Sequence, residues 1–553
     1  MPMHADELRR KAEAIGKVPQ GYSLQMEDTR TQRSAPPERA FIWVDPGNKE
    51  NEVEVSLCLE TGRLTRLKIS RDDAADSPDA ADSLDSTDTS DAPAPSLMNA
   101  GEAASEELRS RADAFVRLHA PEYASLTFVH TEQGRTRWYL TYREEAGGLP
   151  LPDTGCRLVL DAGLEIVDYQ WEGYRRPKLE RPVWPSSIAP AEQVRDKILG
   201  ELSMELIWAS LYAPTFDLEG REDHYRLVYD PVPSYRFIDA VTGEDLHARE
   251  HYVMPPSDPL PPREYAAGNR NGDEEQGKGQ PNRIQQTGTF DPAYWEDALG
   301  IDRAYFTLEK QRDLGDSIKL SYVPLSEMND ADEPDEKDPL SADAYMKRKW
   351  GKGLGSLRGT VMYSVEKSTG LLTGLFRPIH EKDGQPVLSR AECWEKACQF
   401  LDRFFPGYED CLQLERDTDE PEEKPRTHER FQLPVHVHGC SVNHESVTIA
   451  VSAVTGEVTL YMGVSHAAIN EIKELDAHPV LTPEEAFWLY SEQLRVRLEW
   501  SGGREEDRPY YRLLYKPATG GDDLPYSLSH RQGLRYIDAI TGRLLWDQPL
   551  KLI

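Results

Sequence analysis

The 553-residue chain has no run of about 18 apolar residues, the length a helix needs to cross a bilayer. Met1 to Val18 carries Asp6, Glu7, Arg9, Arg10 and Lys11 in a helical pattern, without an apolar stretch of signal-peptide length, so a cytoplasmic location is expected. Cations are scarce: 64 Lys and Arg stand against 97 Asp and Glu, a formal net charge of −33. Nucleic acid requires clustered Lys and Arg, and an anionic membrane surface repels such a chain, so neither is expected as a partner. Apolar residues reach only 38% against 29% charged, which suits several small modules better than one large enzyme core. Cysteine is sparse as well. Cys58, Cys156, Cys393, Cys398, Cys411 and Cys440 sit mostly in apolar helix or strand patterns and read as reduced, buried thiols. The last four fall in one stretch, which leaves a disulfide there open. Also missing are a Gly-x-Ser-x-Gly elbow between strand and helix, a P-loop, a Gly-x-Gly-x-x-Gly after a strand and His-Glu-x-x-His. Gly351 to Ser356 is Gly-rich and carries Lys352, but it precedes a strand and reads as a loop rather than a phosphate cradle.

What the chain does contain is one short phrase six times over: a small or acidic residue, then Thr-Gly or a relative of it, after alternating apolar residues. The clearest copies are Phe237 to Glu244 and Tyr536 to Arg543, both with Ile-Asp-Ala before the turn. Looser ones end at Gly62, Gly163, Gly370 and Gly456. Glycine supplies the positive φ of a short hairpin, and the preceding Asp or Thr bonds its own backbone across the turn. Hairpins of one design repeated along a chain indicate a repeat protein.

The copies fall into two sets of three. Their glycines are separated by 308, 293 and 299 residues (370 − 62, 456 − 163, 542 − 243), as an internal duplication would leave them. Ala112, Phe115, Pro121 and Tyr123 align with Ala397, Phe400, Pro406 and Tyr408 at a constant shift of 285 (397 − 112), and Tyr225 to Tyr229 matches Tyr511 to Tyr515. Ser389 with Glu392, and Thr482 with Pro483 and Glu485, have the spacing of helix N-caps with capping boxes. Trp394, Ala397, Cys398, Leu401 and Phe405 then form an apolar helical stripe. Val447 to Val451 alternates as a strand, its odd-numbered members on one side. One helix on one face of an antiparallel meander buries both apolar faces, so the expected class is α+β. The fourth unit is the weakest, with Trp295 to Ile301 as its short helix.

Helix, alternating strands and a closing Asp-Ala-x-Thr-Gly turn resemble the PepSY-type module. The six-unit layout, with Tyr-x-Leu-x-Tyr before Ile-Asp-Ala-x-Thr-Gly, is similar to the YcdB/YcdC repeat proteins of spore-forming Gram-positive bacteria. The resemblance implies tandem PepSY- or cystatin-like α+β modules, about six, arranged as two duplicated lobes. It brings no catalytic residue with it. Many relatives are exported, and this chain departs from them in its N-terminus. PepSY-type modules are associated with restraint of peptidases, which makes a peptidase one partner class the resemblance implies.

The expected organisation is repeat units at 1–70, 101–180, 181–250, 290–380, 381–470 and 471–553, with an acidic linker at 71–100 and a Pro/Gly-rich linker at 251–289. Two lobes, 1–250 and 290–553, should share a topology. Candidate chemistry is thin. His436 and His438 alternate on a strand and His444 begins the next, so three zinc ligands are geometrically open. No carboxylate stands at supporting spacing, however, and the corresponding stretch Trp138 to Leu158 has no histidine, so no metal is expected. The acidic loop Asn329 to Glu336 lacks the Gly and terminal Glu of an EF-hand, and Asp417 to Lys424 likewise reads as a solvated insertion. Asp239 and Asp538 occupy a repeated turn and read as capping residues rather than paired catalytic carboxylates. The expectation is a non-enzymatic scaffold without cofactor that engages a protein or peptide. The alternatives are a metal-binding protein through His436, His438 and His444, or an enzyme with a site between the lobes, which would show polar residues converging in one half and missing from its duplicate.

Overall fold

In the first unit, α1 (Ala5–Gly16) is followed by β1 (Ser23–Gln32), β2 (Ala35–Val44), β3 (Glu52–Cys58) and β4 (Leu64–Ser70). The second has α2 (Glu102–His119), β5 (Leu126–Gln133), β6 (Arg137–Ala146), the short β7 (Leu149–Pro150), β8 (Cys156–Asp161) and β9 (Ile166–Trp171). These strands make one nine-stranded sheet in the order β1-β2-β3-β4-β9-β8-β6-β5, with β7 on β6. The two closing strands meet antiparallel at its centre, Leu67 opposite Tyr169. On one face Leu8 and Ala12 of α1 and Leu108, Ala112 and Val116 of α2 bury against Phe41, Val55, Leu67, Leu140, Leu158 and Tyr169. Each large apolar side chain so covered contributes about 1.5–3 kcal/mol relative to exposure. The structure is a computed structural model and describes residues 4–32, 35–71, 102–120, 123–133, 136–172, 179–212, 216, 224–261, 290–328, 338–350, 359–377, 384–416, 426–505, 508–520 and 533–547. The acidic linker from 72 on, both acidic loops and the Gly351 to Ser356 loop lie outside these residues.

The third unit contributes α3 (Ala191–Glu201), β10 (Ser203–Leu211), β11 (His224–Val232) and β12 (Ile238–Asp239). It is followed by β13 (Ser257–Pro259), α4 (Pro292–Leu299), β14 (Phe306–Asp313), β15 (Ser317–Pro324), α5 (Leu325–Met328), α6 (Ala342–Trp350), β16 (Val361–Glu366) and β17 (Leu372–Phe376). The fifth unit comprises α7 (Arg390–Phe404), β18 (Gln413–Glu415), β19 (His428–Val437), β20 (Cys440–Ser452) and β21 (Val458–Met462). After α8 (His466–Lys473) comes the sixth: α9 (Pro483–Gln493), β22 (Leu494–Glu505), β23 (Arg508–Thr519), β24 (Leu534–Asp538) and β25 (Leu544–Trp546). Both expected capping boxes form, Ser389 with Glu392 and Thr482 with Glu485. In the second sheet β14-β15-β16-β17-β21-β20, with β19 on β20, repeats the first sheet's order β1-β2-β3-β4-β9-β8 with β6, and Leu375 faces Tyr461 as Leu67 faces Tyr169. The 3₁₀ turns at Tyr123–Ser125 and Tyr408–Asp410 also correspond.

The division into lobes at 1–250 and 290–553 does not hold at the third unit. Its hairpin β10–β11 belongs to the second sheet, β10 running parallel to β20 with Ile207 opposite Ser441. Units three and six exchange parts reciprocally. The closing strand of unit six lies on the hairpin of unit three, Val228 opposite Asp538, and the closing strand of unit three lies on the hairpin of unit six, Ile238 opposite Tyr515. Matching hydrogen bonds mark both sides: Ala539 N to Leu227 O at 3.0 Å and Ala240 N to Leu513 O at 2.9 Å. Tyr229 Oη donates to Leu481 O at 2.7 Å, and Tyr515 Oη to Ala189 O at 2.8 Å. Neighbour-first pairing loses here because both hairpins offer the same Tyr-Arg-Leu-x-Tyr edge, so the sequence-distant partner is chemically equivalent. The described start of the expected linker, 251–261, also differs from expectation: Ser257–Pro259 pairs with β18, and Arg416 bonds Asp258 at 2.6 Å and 2.7 Å, while 262–289 lie outside the described residues. A further tie runs from α6, whose Ala342, Tyr345 and Met346 cover Met26, Ala40, Ile42 and Val44 on the first sheet's second face.

Candidate functional site

The recurring turns are structural. Gly62, Gly243, Gly370, Gly456 and Gly542 have φ between 61° and 76°. In the second unit the loop is one residue shorter, and Leu164, at φ 59°, takes the left-handed place expected of Gly163. Asp239 accepts from the N–H groups of Val241 and Thr242 at 2.8 Å and 3.0 Å, and Asp538 from those of Ile540 and Thr541 at 3.0 Å and 2.8 Å. Both are turn caps, each on its own hairpin.

The histidines are dispersed. His438 and His444 are exposed with φ of 54° and 61°, and His438 Nε2 lies 3.1 Å from Lys473 O. His436 is half-buried, its pKa held low by burial. Among the described residues no three His, Cys, Asp or Glu side chains are placed to share a metal ion. All six cysteines are free thiols, so the four of the fifth unit do not pair. Burial pushes the Cys156 thiol up to about 12 and that of Cys411 up to about 11.

What sequence reading missed lies on the first sheet's outer face, the side away from α1 and α2. The inner row across its centre is Leu67, Tyr169, Leu158 and Leu140. Alternation turns the flanking residues outward. One outer row reads Arg66, Gln170, Arg157, Thr141 and His130; the other reads Lys68, Asp168, Val159 and Tyr139. In the duplicate sheet the corresponding positions are Gly374, Met462, Thr448 and Gln432, then Phe376, Leu460, Ala450 and Arg430. Arg66, Lys68, Asp168 and Gln170 of one sheet are thus replaced in the other by Gly374, Phe376, Leu460 and Met462, of which Phe376 and Met462 are exposed, while Thr448, Gln432 and Arg430 keep polar groups farther along the rows. The signal was available as polar residues at every second position of β4, but it becomes legible only when the two sheets are laid strand on strand.

Three cations stand around Asp168 here, with the Glu54 carboxylate beside them. Burial raises the Asp168 carboxyl above its ordinary range, while Arg66, Lys68 and Arg157 pull it back down. Arg157 lies over the Tyr139 ring at 5.1 Å. Arg66 Nε stands 4.0 Å from Glu54, which also accepts from Arg30 at 2.9 Å. Lys68 and Arg157 are exposed. Burial keeps the neighbouring His130 pKa low, so its ring is neutral at pH 7. At one side α6 forms a wall: Tyr345 Oη donates to Glu52 at 2.8 Å and Lys349 Nζ reaches the same carboxylate at 2.5 Å. Guanidinium, ammonium and phenol donors on an open sheet can take up carboxylates and peptide groups of an incoming chain.

The two segments that match the family described as "YcdB, YcdC repeated domain", residues 5–173 and 349–465, coincide with the first sheet and with the part of the second from the end of α6 to β21. The uncharacterised protein YcdB of Bacillus subtilis (strain 168) is 27% identical over 519 residues, covering 92% of this chain and 94% of that protein. The uncharacterised protein YcdC of the same organism is 23% identical over 532 residues, with coverage of 92% and 96%. Among solved structures, the Bacillus megaterium YpeB C-terminal domain overlaps 44% of this chain and 96% of its own at 13% identity and a TM-score of 0.25, too slight an overlap to bear on fold or function.

Proposed function

The chain belongs to the YcdB/YcdC repeated-domain family, and from that premise we propose that it is a non-enzymatic scaffold that binds a protein or peptide partner through the outer face of its first sheet. The observation that supports this reading is the contrast between the duplicated sheets: Arg66, Lys68, Arg157, Asp168 and Gln170 in one, Gly374, Phe376, Thr448, Leu460 and Met462 in the other. Packing and topology are shared by both sheets, so they do not demand the polar set. Catalysis would call for these groups to converge on a reacting atom with water excluded; they stand instead in rows on an open face. Arg66, Lys68 and Arg157 against Asp168 and Glu54 leave this face net positive in a chain of net charge −33, which favours an acidic stretch of the partner. A peptidase under restraint is the most specific form of the proposal, carried by the PepSY-type resemblance.

The test is capture from a lysate of the native host on the intact protein and on the triple variant Arg66→Ser, Lys68→Ser, Arg157→Ser, with bound proteins identified by mass spectrometry. A partner retained by the parent and lost from a variant of unchanged thermal midpoint supports the reading. Equal retention by both removes this face from consideration.

A further inference from the structure

On the helix side of the first sheet a cavity of about 110 Å³ opens at the point where units one and two meet. A single water needs only about 10–15 Å³, so a side chain has room there. Its apolar lining includes Leu67, Ile69, Phe115 and Ile166, the C-terminus of α1 contributes Ile15 and Gly16, and the charged residues along it are Lys17, Arg71 and Glu165. The duplicate shows how the same place is used when it is full. Leu67 corresponds to Leu375, Phe115 to Phe400, and Tyr169 to Tyr461. Phe115 packs on Tyr169 at 5.4 Å and Phe400 on Tyr461 at 5.2 Å. Counting from the turn, Ile69 corresponds to Arg377 (69 − 62 = 377 − 370 = 7). Arg377 threads its side chain into the sheet–helix space and donates to the carbonyl of Leu299, the last residue of α4. Burial opposes its charge and Glu457 supports it.

Every receptor group of that arrangement recurs in the first sheet except the arginine. Gly16 ends α1 as Leu299 ends α4, and both helices are followed by a left-handed residue, Lys17 at φ 45° and Gly300 at φ 64°. A helix C-terminus presents unsatisfied carbonyls and the negative end of the macrodipole, which suits a cation. Glu165 stands where Glu457 stands, one residue past the positive-φ position in both units. Ile69 is too short to fill the space. We infer that the cavity is a receptor for an arginine side chain donated by a peptide or protein partner, its aliphatic stem against Leu67, Ile69 and Phe115 and its guanidinium between the α1 carbonyls and Glu165. The present neighbours of Glu165 do not prevent this. Lys17 is 3.2 Å away and Arg111 3.4 Å away, in exposed, screened pairs that contribute little and yield to a better-placed ligand, and Arg71, the third cation at the cavity, pairs with Asp161 at 3.7 Å rather than with Glu165. The inference is independent of the outer face, since the two sites lie on opposite sides of the sheet.

The test uses the intact protein with isotope-labelled isoleucine methyl groups and three probe peptides: acetyl-Gly-Arg-Gly-amide, acetyl-Gly-Leu-Gly-amide and acetyl-Gly-Glu-Gly-amide. The arginine peptide is expected to shift the Ile15, Ile69 and Ile166 methyl signals saturably and the other two to leave them in place. Glu165→Gln should weaken the arginine peptide about two- to five-fold. Ile69→Arg should abolish the effect by filling the cavity from within, as Arg377 does. No shift with any peptide overturns the inference. So does a leucine or glutamate peptide that shifts these methyls as far as the arginine peptide, or an arginine shift that Glu165→Gln leaves unchanged. The outer-face triple variant should bind the arginine peptide normally, so failure of one site is separable from failure of the other.

Discussion

Arg226 lies on the hairpin of unit three, and simple neighbour pairing would put it beside Asp239 of its own unit. The structure puts its Nη1 3.2 Å from Asp538 Oδ2 of unit six. A double-mutant cycle with Arg226→Ala and Asp538→Ala isolates that contact, because the loss of the Ile540 and Thr541 turn bonds appears equally in the single and double variants. The Asp538 side chain is 5% exposed and that of Arg226 27%. Hydrogen bonds to charged groups contribute about 1.5–3 kcal/mol, and solvent at the guanidinium screens part of this, so a coupling of about 1–2 kcal/mol is expected. The mirror pair Arg512–Asp239 is longer, 3.7 Å, and should couple more weakly, by about 0.2–1 kcal/mol. Urea unfolding followed by tryptophan fluorescence is a suitable assay, since Trp208 and Trp500 are buried on the two exchanged hairpins. If Arg226 and Asp538 couple by less than about 0.3–0.5 kcal/mol, or if Arg226 couples as strongly to Asp239, the exchange between units three and six is wrong.

Other outcomes follow from single sites. Gly542 has φ 72°, and an added Cβ would meet Leu481 only at 3.5 Å, so Gly542→Val should cost about 1–2 kcal/mol through backbone strain alone; a smaller loss of urea stability would contradict the turn assignment. Burial raises the Cys156 thiol to about 12, so the unfolded chain ionises it first and its contribution to stability falls between about pH 9 and pH 12. Cys156→Ala should flatten that part of the stability–pH curve, and at pH 8 the native thiol should resist a disulfide reagent that labels it after unfolding. Burial also raises the Asp168 carboxyl, so its ionisation opposes folding above about pH 4. Asp168→Asn should therefore raise the thermal midpoint at pH 7, the gain fading as the pH is lowered through 4; a lower midpoint at pH 7 would show that the carboxylate is needed by the fold.

Local chemistry was readable in the sequence wherever a residue's own backbone enforces it. The turn glycines, both capping boxes and the stripe from Trp394 to Phe405 are set by short-range geometry, and each forms as expected. The exceptions are those set at long range. Leu164 takes a glycine's conformation because its hairpin is one residue shorter, which the Gly163 pattern concealed. The seat of α6 on Met26, Ala40, Ile42 and Val44 depends on a face that alternation shows as apolar without naming its cover. Pairing of Ser257–Pro259 with β18 was hidden because proline-rich segments read as linkers, although an edge position tolerates proline. The outer-face rows and the arginine-shaped cavity carry no motif. They emerge from differences between duplicates, Lys68 against Phe376 and Ile69 against Arg377, which require strand register before they can be aligned.

The reciprocal exchange also constrains how the chain can be made. The hairpin ending at Val232 does not receive its third strand until Leu534 and the residues after it have been synthesised, 302 positions later (534 − 232). At about 5–20 residues per second, that edge waits roughly 15–60 s on the ribosome. Through that interval the Tyr225 to Tyr229 strand offers an unpaired backbone edge, the feature most prone to wrong pairing between nascent chains. The synthesis of β24, rather than the completion of either half, is thus the moment at which units three and six can lock together.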